Sequence, residues 1–270
     1  MAHYLVTGGC GFIGSHLCAA LVARGDRVRV LDDLSTGSRA NLAPGAGLVV
    51  GDVADPAVVQ GAMQGVDGCF HLAAIASVER AVREWLATHR VNLSATIGVF
   101  DAARAVGPVP VVYASSAAVY GDQETLPIAE DAPKRPLSAY GADKLGCEQQ
   151  ALVAGHVHQV PTMGLRFFNV FGPRQDPNSQ YAAALPNFIR AFQRGQSPII
   201  FGDGQQSRDF CFIENVVEAN LLACAAPAER VAGQVCNIAC GDSVSLLGVM
   251  DLLAELFGQR IAPDHRPSRP

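Results

Sequence analysis

Tyr140-Gly-Ala-Asp-Lys144 places a phenol and an ammonium four residues apart, which on a helix puts them on one face about one turn from each other. A free phenol titrates near ~10 and is a poor base at neutral pH, whereas a neighbouring cation favours its ionised form. Bringing a phenol down to ~6–7 requires about 4–5 kcal/mol, at ~1.36 kcal/mol for each tenfold change in proton affinity. One lysine rarely supplies all of that, so a second positive charge is expected beside the pair. Tyr-x-x-x-Lys also arises by chance on helix surfaces, but Lys134 and Lys144 are the only lysines in the chain. A third candidate is Ser116, in Ser115-Ser-Ala-Ala-Val-Tyr-Gly121 directly after the apolar run 110–114. Hydroxyls at the carboxyl end of a parallel strand face the crevice where ligands bind in such sheets.

The elements that would position these groups begin at the N-terminus. The apolar run 3–6 reads as a strand, Thr7-Gly-Gly-Cys-Gly-Phe-Ile-Gly14 as a turn, and residues 15–24 as a helix. Gly8, Gly11 and Gly14 suit a tight turn, a close approach to a pyrophosphate and close helix–strand packing. Phe12 and Ile13 complete that loop, and the helix N-terminus supplies N–H groups and a partial positive charge. Residues 28–31 form a second strand ending in Asp32 and Asp33, about 20 residues past the glycines. A carboxylate there accepts from ribose hydroxyls and repels a 2′-phosphate, which favours NAD over NADP. The oxidised nicotinamide of NAD would be the second cation. Strand 48–50 leads into Gly51-Asp52-Val53, suited to the adenine edge, and strand 68–72 opens into Ala73-Ala74. A long helix is expected over residues 79–105, with Asn92 either on its surface or turned inward onto loop backbone. Five βα units by residue 155 predict an α/β fold, a Rossmann-like doubly wound parallel sheet. Strand 161–167, read as the last of the sheet, precedes a looser segment with helix 181–194, strands near 199–201 and 207–212, and a helix after Ile213. These are read as a smaller C-terminal substrate lobe, giving domains 1–170 and 171–270.

Composition narrows the class. The chain has 270 residues, 49% apolar and 17% charged, with a net charge of −5, which argues against a nucleic-acid surface. Its eight cysteines lack any C-x-x-C spacing and read as reduced core residues. His156 and His158, with no cluster of Cys or carboxylates beside them, read as surface rather than metal ligands. The apolar N-terminal strand has no leader-like flank, and no 18-residue apolar run occurs. A cytoplasmic enzyme without membrane contact is the expectation.

With the glycine loop, Asp32, Ser116, Tyr140 and Lys144 together, the chain resembles the extended short-chain dehydrogenase/reductases over essentially its whole length. Two further stretches carry the likeness: Leu165-Arg-Phe-Phe-Asn-Val-Phe-Gly-Pro-Arg-Gln-Asp-Pro177 and Phe201-Gly-Asp-Gly-Gln-Gln-Ser-Arg-Asp-Phe210. Within that family it is most similar to the NAD-dependent UDP-hexose 4-epimerases, including those acting on UDP-N-acetylglucosamine. The related 4,6-dehydratases carry acid before the Val-Tyr-Gly, where this chain has Ala117 and Ala118; uronate epimerases typically have Thr in place of Asn169.

The resemblance implies Ser116, Tyr140 and Lys144 as catalytic residues. It implies NAD contacts from Gly8, Gly11, Phe12, Ile13, Gly14, Asp32, Asp33, Ser35, Thr36, Gly37, Asp52, Val53, Leu72, Ala73, Ala74, Ala76, Asn92, Tyr140, Lys144 and Phe167. Substrate contacts are implied for Ser77, Ser116, Ala117, Tyr140, Asn169, Ala183, Ala184, Asn187, Phe188, Ile199 and Arg208. A guanidinium at Arg208 suits a diphosphate, against the alternative of a pair with Asp209. The resemblance also implies a UDP-hexose substrate, a lobe shortened at its C-terminus, and a homodimer formed through a four-helix bundle of the helices near 79–105 and 138–154. Two alternatives stay open: another sugar-nucleotide-modifying reaction (uronate epimerase, dehydratase or decarboxylase), or a catalytically silent NAD-binding protein.

Overall fold

The computed structural model describes residues 1–76, 78–176 and 184–267. Six strands, β1 (His3–Thr7), β2 (Arg27–Asp32), β3 (Gly47–Val50), β4 (Gly68–His71), β5 (Val111–Ser116) and β6 (Thr162–Phe167), join Gln234–Ile238 in one seven-stranded sheet. Its order is Gln234–Ile238, β6, β5, β4, β1, β2, β3, with every neighbouring pair parallel. The strand order reverses between β1 and β4, the switch point where ligands bind in such sheets.

Both faces are covered, as wholly parallel sheets require. Alternate residues of the strands point to opposite sides. Leu5, Leu31, Val111 and Tyr113 pack in one cluster with α2 (Pro56–Met63), α5 (Ala95–Ala105) and α6 (Ala139–His158). On the opposite side Val30 approaches Cys18 of α1 (Phe12–Ala23), and α1 packs on the helix Ile213–Ala225. Strand β6 is buried at every position, and its only polar side chains are Thr162 and Arg166.

Three elements depart from the sequence reading. Residues 79–105 are not one helix but α3 (Val78–Arg83), α4 (Trp85–His89), a π-turn Arg90–Ser94 and α5. Glu84 leaves the helical region at φ −124°, ψ 50°, and Ala95 N donates to Arg90 O, five residues back. Residues 84–94 contain neither glycine nor proline, so no breaker residue marks the interruption. Strand β6 is not the last of the sheet, since Gln234–Ile238 pairs beyond it. The run 207–212 is two short strands, Ser207–Arg208 and Phe210–Phe212, with different partners.

The chain divides into two compact units, Met1–Phe167 with Ile213–Ile238, and Phe168–Phe212 with Ala239–Pro270. The first is therefore two separate stretches, and it includes the helix Ile213–Ala225. The second has its own core, in which Phe188, Phe192, Ile200, Leu246, Val249, Met250 and Leu253 pack together. Among the described residues no helix is long and apolar enough to cross a membrane.

Candidate active site

The glycine loop closes the carboxyl end of β1. Gly8 has φ +72°, a conformation that L side chains rarely adopt, and a Cβ there would lie 2.8 Å from Ala73 N. A Cβ on Gly14 would lie 2.2 Å from Gly8 O, so α1 starts directly against the loop. Gly11 caps α1 and brings no capping side chain, which leaves the first-turn N–H groups to a ligand. This cradle, which side chains would fill, fits a dinucleotide pyrophosphate.

Asp32, at the end of β2, is buried. Its Oδ2 accepts from Cys10 N at 2.9 Å and its Oδ1 from Leu34 N at 2.8 Å. The carboxylate thus ties the turn after β2 to the glycine turn. Asp33 accepts from Ser35 N and Oγ within its own turn, and Ser38 N donates to Cys10 O, folding the segment with Thr36 and Gly37 over the glycine loop. Asp52 accepts from Ala54 N and lies 3.6 Å from Arg90, while Val53 is part of the core.

Thr7, His71 and Asn92 shape the turn after β4. Thr7 Oγ1 accepts from Leu72 N and Ala73 N and lies 2.7 Å from His71 Nδ1. His71 Nε2 lies 2.9 Å from Thr96 Oγ1, whose proton is donated to Asn92 O. Hydrogen-bond polarity therefore fixes the neutral tautomer: Nε2 donates to Thr96 and Nδ1 accepts from Thr7. Burial, helped by the Lys144 ammonium, pushes the imidazole down to about 3. Asn92 is fully buried; its amide accepts from Ile75 N at 2.8 Å and donates to Ile75 O at 3.1 Å. It holds the Ala73–Ala76 backbone through the inward orientation that the π-turn provides.

Ser116 ends β5, and its Oγ accepts from Ala118 N, capping the single 3₁₀ turn Ala117–Val119. Helix α6 begins at Ser138, whose Oγ accepts from Gly141 N. Tyr140 stands in its first turn and Lys144 in the next. The Lys144 ammonium is 2% exposed, donates to Ala114 O at 2.8 Å and lies 5.9 Å from the centre of the Tyr140 ring. An ammonium so desolvated sits beside the phenol at much lower effective dielectric than in water. Phe167, paired with Ser116 in the β5–β6 register, is buried.

Sequence reasoning gave no role to His71, Glu148 or Arg166. Glu148 continues the Tyr140–Lys144 face by one more turn, and Arg166 is a charge inside a wholly buried strand; both signals are readable in the chain. Burial draws the Arg166 guanidinium down, but its hydrogen bonds to Glu148 outweigh that and hold it firmly protonated.

In the second unit, Asn169 Nδ2 donates to Asp209 O, and Asn187 Oδ1 accepts from Arg190. Arg208 is exposed and donates to Ser207 O, while Asp209 accepts from Cys240 N and Gly241 N, so each partner of the alternative Arg208–Asp209 pair has a neighbour of its own. Ala184 packs on the core, Phe188 lies within it at 2% exposure, and Ile199 is 40% exposed. The Phe188 ring is a packing group rather than an open contact. Ser77 and Ala183 lie outside the described residues.

Comparison with known proteins identifies relatives of the chain. The chain is 35% identical over 258 residues to a protein of Methanocaldococcus jannaschii named as a putative UDP-glucose 4-epimerase, covering 95% of this chain and 83% of the relative. Among solved structures, UDP-N-acetylglucosamine 4-epimerase from Methanobrevibacter ruminantium, in complex with UDP-N-acetylmuramic acid, superposes with a TM-score of 0.93 at 36% identity, covering 100% of this chain and 86% of that one. The Thermotoga maritima UDP-glucose 4-epimerase with UDP-glucose gives 0.94 at 32% identity, covering 99% and 86%. Proteins named for a UDP-sugar decarboxylase and a UDP-glucuronic acid 4-epimerase match as well. The NAD dependent epimerase/dehydratase family matches residues 4–239. With its glycine cradle, buried Asp32 and Tyr140–Lys144 helix face, the chain belongs to the NAD dependent epimerase/dehydratase family.

Proposed function

We propose that the protein inverts C4 of a UDP-hexose, UDP-glucose/UDP-galactose or the N-acetyl pair, through a transient 4-keto sugar. The observation that carries this reading is the desolvated Lys144 ammonium, fixed on Ala114 O and set beside the Tyr140 ring. Tyr140 Oη takes the proton from the sugar 4-hydroxyl, and Lys144 supplies the cation that a phenolic base needs. Ser116 Oγ hydrogen-bonds the same oxygen and eases proton movement to Tyr140. When bound, NAD supplies reversible two-electron oxidation at the sugar carbon. The glycine loop, Asp32 and the Ala73–Ala76 turn would hold that cofactor in place. The keto sugar must present its other face before reduction, so recognition is concentrated on the UDP, with Asn169, Asn187 and Arg208 as its proposed partners. Ala117 and Ala118 offer no acid to expel a hydroxyl as water, which supports epimerisation over dehydration. We also propose a homodimer: Ile97 on α5 and Leu152, Val153 and Val157 on α6 are exposed apolar residues on the two helices that would form the bundle.

The test is incubation with UDP-glucose and with UDP-N-acetylglucosamine, with chromatography of the 4-epimers. Wild type is expected to convert at least one, and Tyr140→Phe to lose turnover while keeping NAD and UDP-sugar binding. A Tyr140→Phe protein with retained turnover overturns the assignment.

A further inference from the structure

Tyr140, Lys144 and Glu148 recur every four residues along α6 and share one face. That face runs along the end of β5. Lys144 Nζ donates to Ala114 O at 2.8 Å, and Ser115 Oγ donates to Glu148 Oε1 at 2.6 Å. Successive turns of the helix thus hold successive residues of the strand, and Ser116 is the next residue. Arg166 stands opposite Ser115 in the β5–β6 register. Its Nε and Nη2 donate to the two Glu148 oxygens, both at 2.8 Å, with the partners' side chains 5% and 7% exposed. Its Nη1 donates to Tyr120 Oη at 2.5 Å and to Glu130 O at 2.9 Å. Tyr120 in turn donates to Asn237, which donates from Nδ2 to Ile128 O. One guanidinium therefore joins β6, α6, the turn after Ser116 and the loop that leads to Tyr140.

Such a pair adds little to net stability, because burying two charges costs about what their attraction returns, and apolar replacements are often as stable. What it does impose is geometry. A two-pronged bond holds only one rotation and one axial offset of the helix, and α6 cannot slide along β5 without losing both prongs and the Ser115 bond. Neither side chain is placed where it touches reacting atoms.

Resting on the function proposed above, we infer that Glu148 and Arg166 are positioning residues that set the seat of Tyr140 and Lys144 on α6 against Ser116 on β5. The decisive protein is the double variant Glu148→Met/Arg166→Met, in which neither charge is left unpaired. It is expected to keep a wild-type unfolding temperature within a few degrees and to bind NAD normally. Turnover of the UDP-hexose that wild type accepts is expected to fall about a hundredfold, the cost of a misplacement of about 1 Å, with KM little changed. A second readout needs no turnover: a crystal structure of the double variant should show α6 displaced along β5, with the Lys144–Ala114 hydrogen bond lengthened or lost. A folded double variant with wild-type kcat and an unmoved α6 overturns the inference. Should the double variant fail to fold, Glu148→Asp serves instead, since it keeps the charge and shortens its reach: unchanged kcat and helix position there also overturn it. Wild type inactive on every UDP-hexose would refute the proposed function alone, because the helix position still decides the positioning role.

Discussion

Lowering the pH should strip stability from this protein through one residue, His71. Its imidazole is enclosed between Thr7 and Thr96 in the neutral form, and burial with the Lys144 charge pushes it from 6.5 down to about 3. Above pH 6.5 both folded and unfolded chains hold it neutral, so the group makes no pH-dependent difference. Below 6.5 the unfolded chain takes up a proton that the folded one refuses, and stability is lost until the pH falls through about 3. At ~1.36 kcal/mol per tenfold change in proton affinity, the full loss is about 5 kcal/mol, of which about 2 is already gone at pH 5. Against a typical total of about 5–15 kcal/mol that is a large share. The assay is urea unfolding at pH 7, 6 and 5, comparing wild type with His71→Gln. The variant should be weaker at pH 7, where it loses the fit between the two threonines, but its stability should fall by about 2 kcal/mol less on the way to pH 5. Nuclear magnetic resonance of the folded protein should show the His71 ring still neutral at pH 5. Parallel pH dependence in the two proteins, or a folded-state titration of His71 near 6.5, refutes the reasoning.

Asp32→Ala should leave the N–H groups of Cys10 and Leu34 without their acceptor, weaken NAD binding at least tenfold and relax the preference over NADP; cofactor titration checks it, and unchanged discrimination would mean that the ribose lies elsewhere. Gly14→Ala drives a methyl to 2.2 Å from Gly8 O and should cost about 1–3 kcal/mol while loosening NAD, read by thermal unfolding with and without cofactor. Val153→Asp should convert a dimer to monomers in analytical ultracentrifugation with the fold intact by circular dichroism; an unchanged sedimentation coefficient removes α6 from the interface.

The first half of the fold was legible because local chemistry and global fold agree there. Glycines 8, 11 and 14, the acid at 32 and short apolar runs each demand the same βαβ geometry, and β1 to β6 appear near where the runs lie. Helix α6 was equally plain from the Tyr140–Lys144 spacing, although its Ser138 cap emerges only in the structure. The breaks at Glu84 and at the π-turn were not legible, because residues 84–94 carry no glycine or proline to announce them. Gln234–Ile238 was hidden for another reason: with Asn237 interrupting a five-residue strand and a partner 71 residues away, nothing local marks it. The roles of Thr7 and Arg166 are pairwise, fixed by partners 64 and 18 residues off, and a single chain read in order does not display such partners.

The interrupted course of the first unit has a bearing on how the molecule comes into being. During synthesis β6, whose six positions are all buried in the folded chain, emerges early, yet the strand that flanks it arrives only after Phe168–Phe212 has been made. Until then the backbone N–H and C=O groups on that side of β6 stand unpaired, an edge of the kind that recruits other nascent chains. Slowing translation beyond residue 167 should therefore raise the need for chaperones, whereas the same delay placed after Ile238 should not.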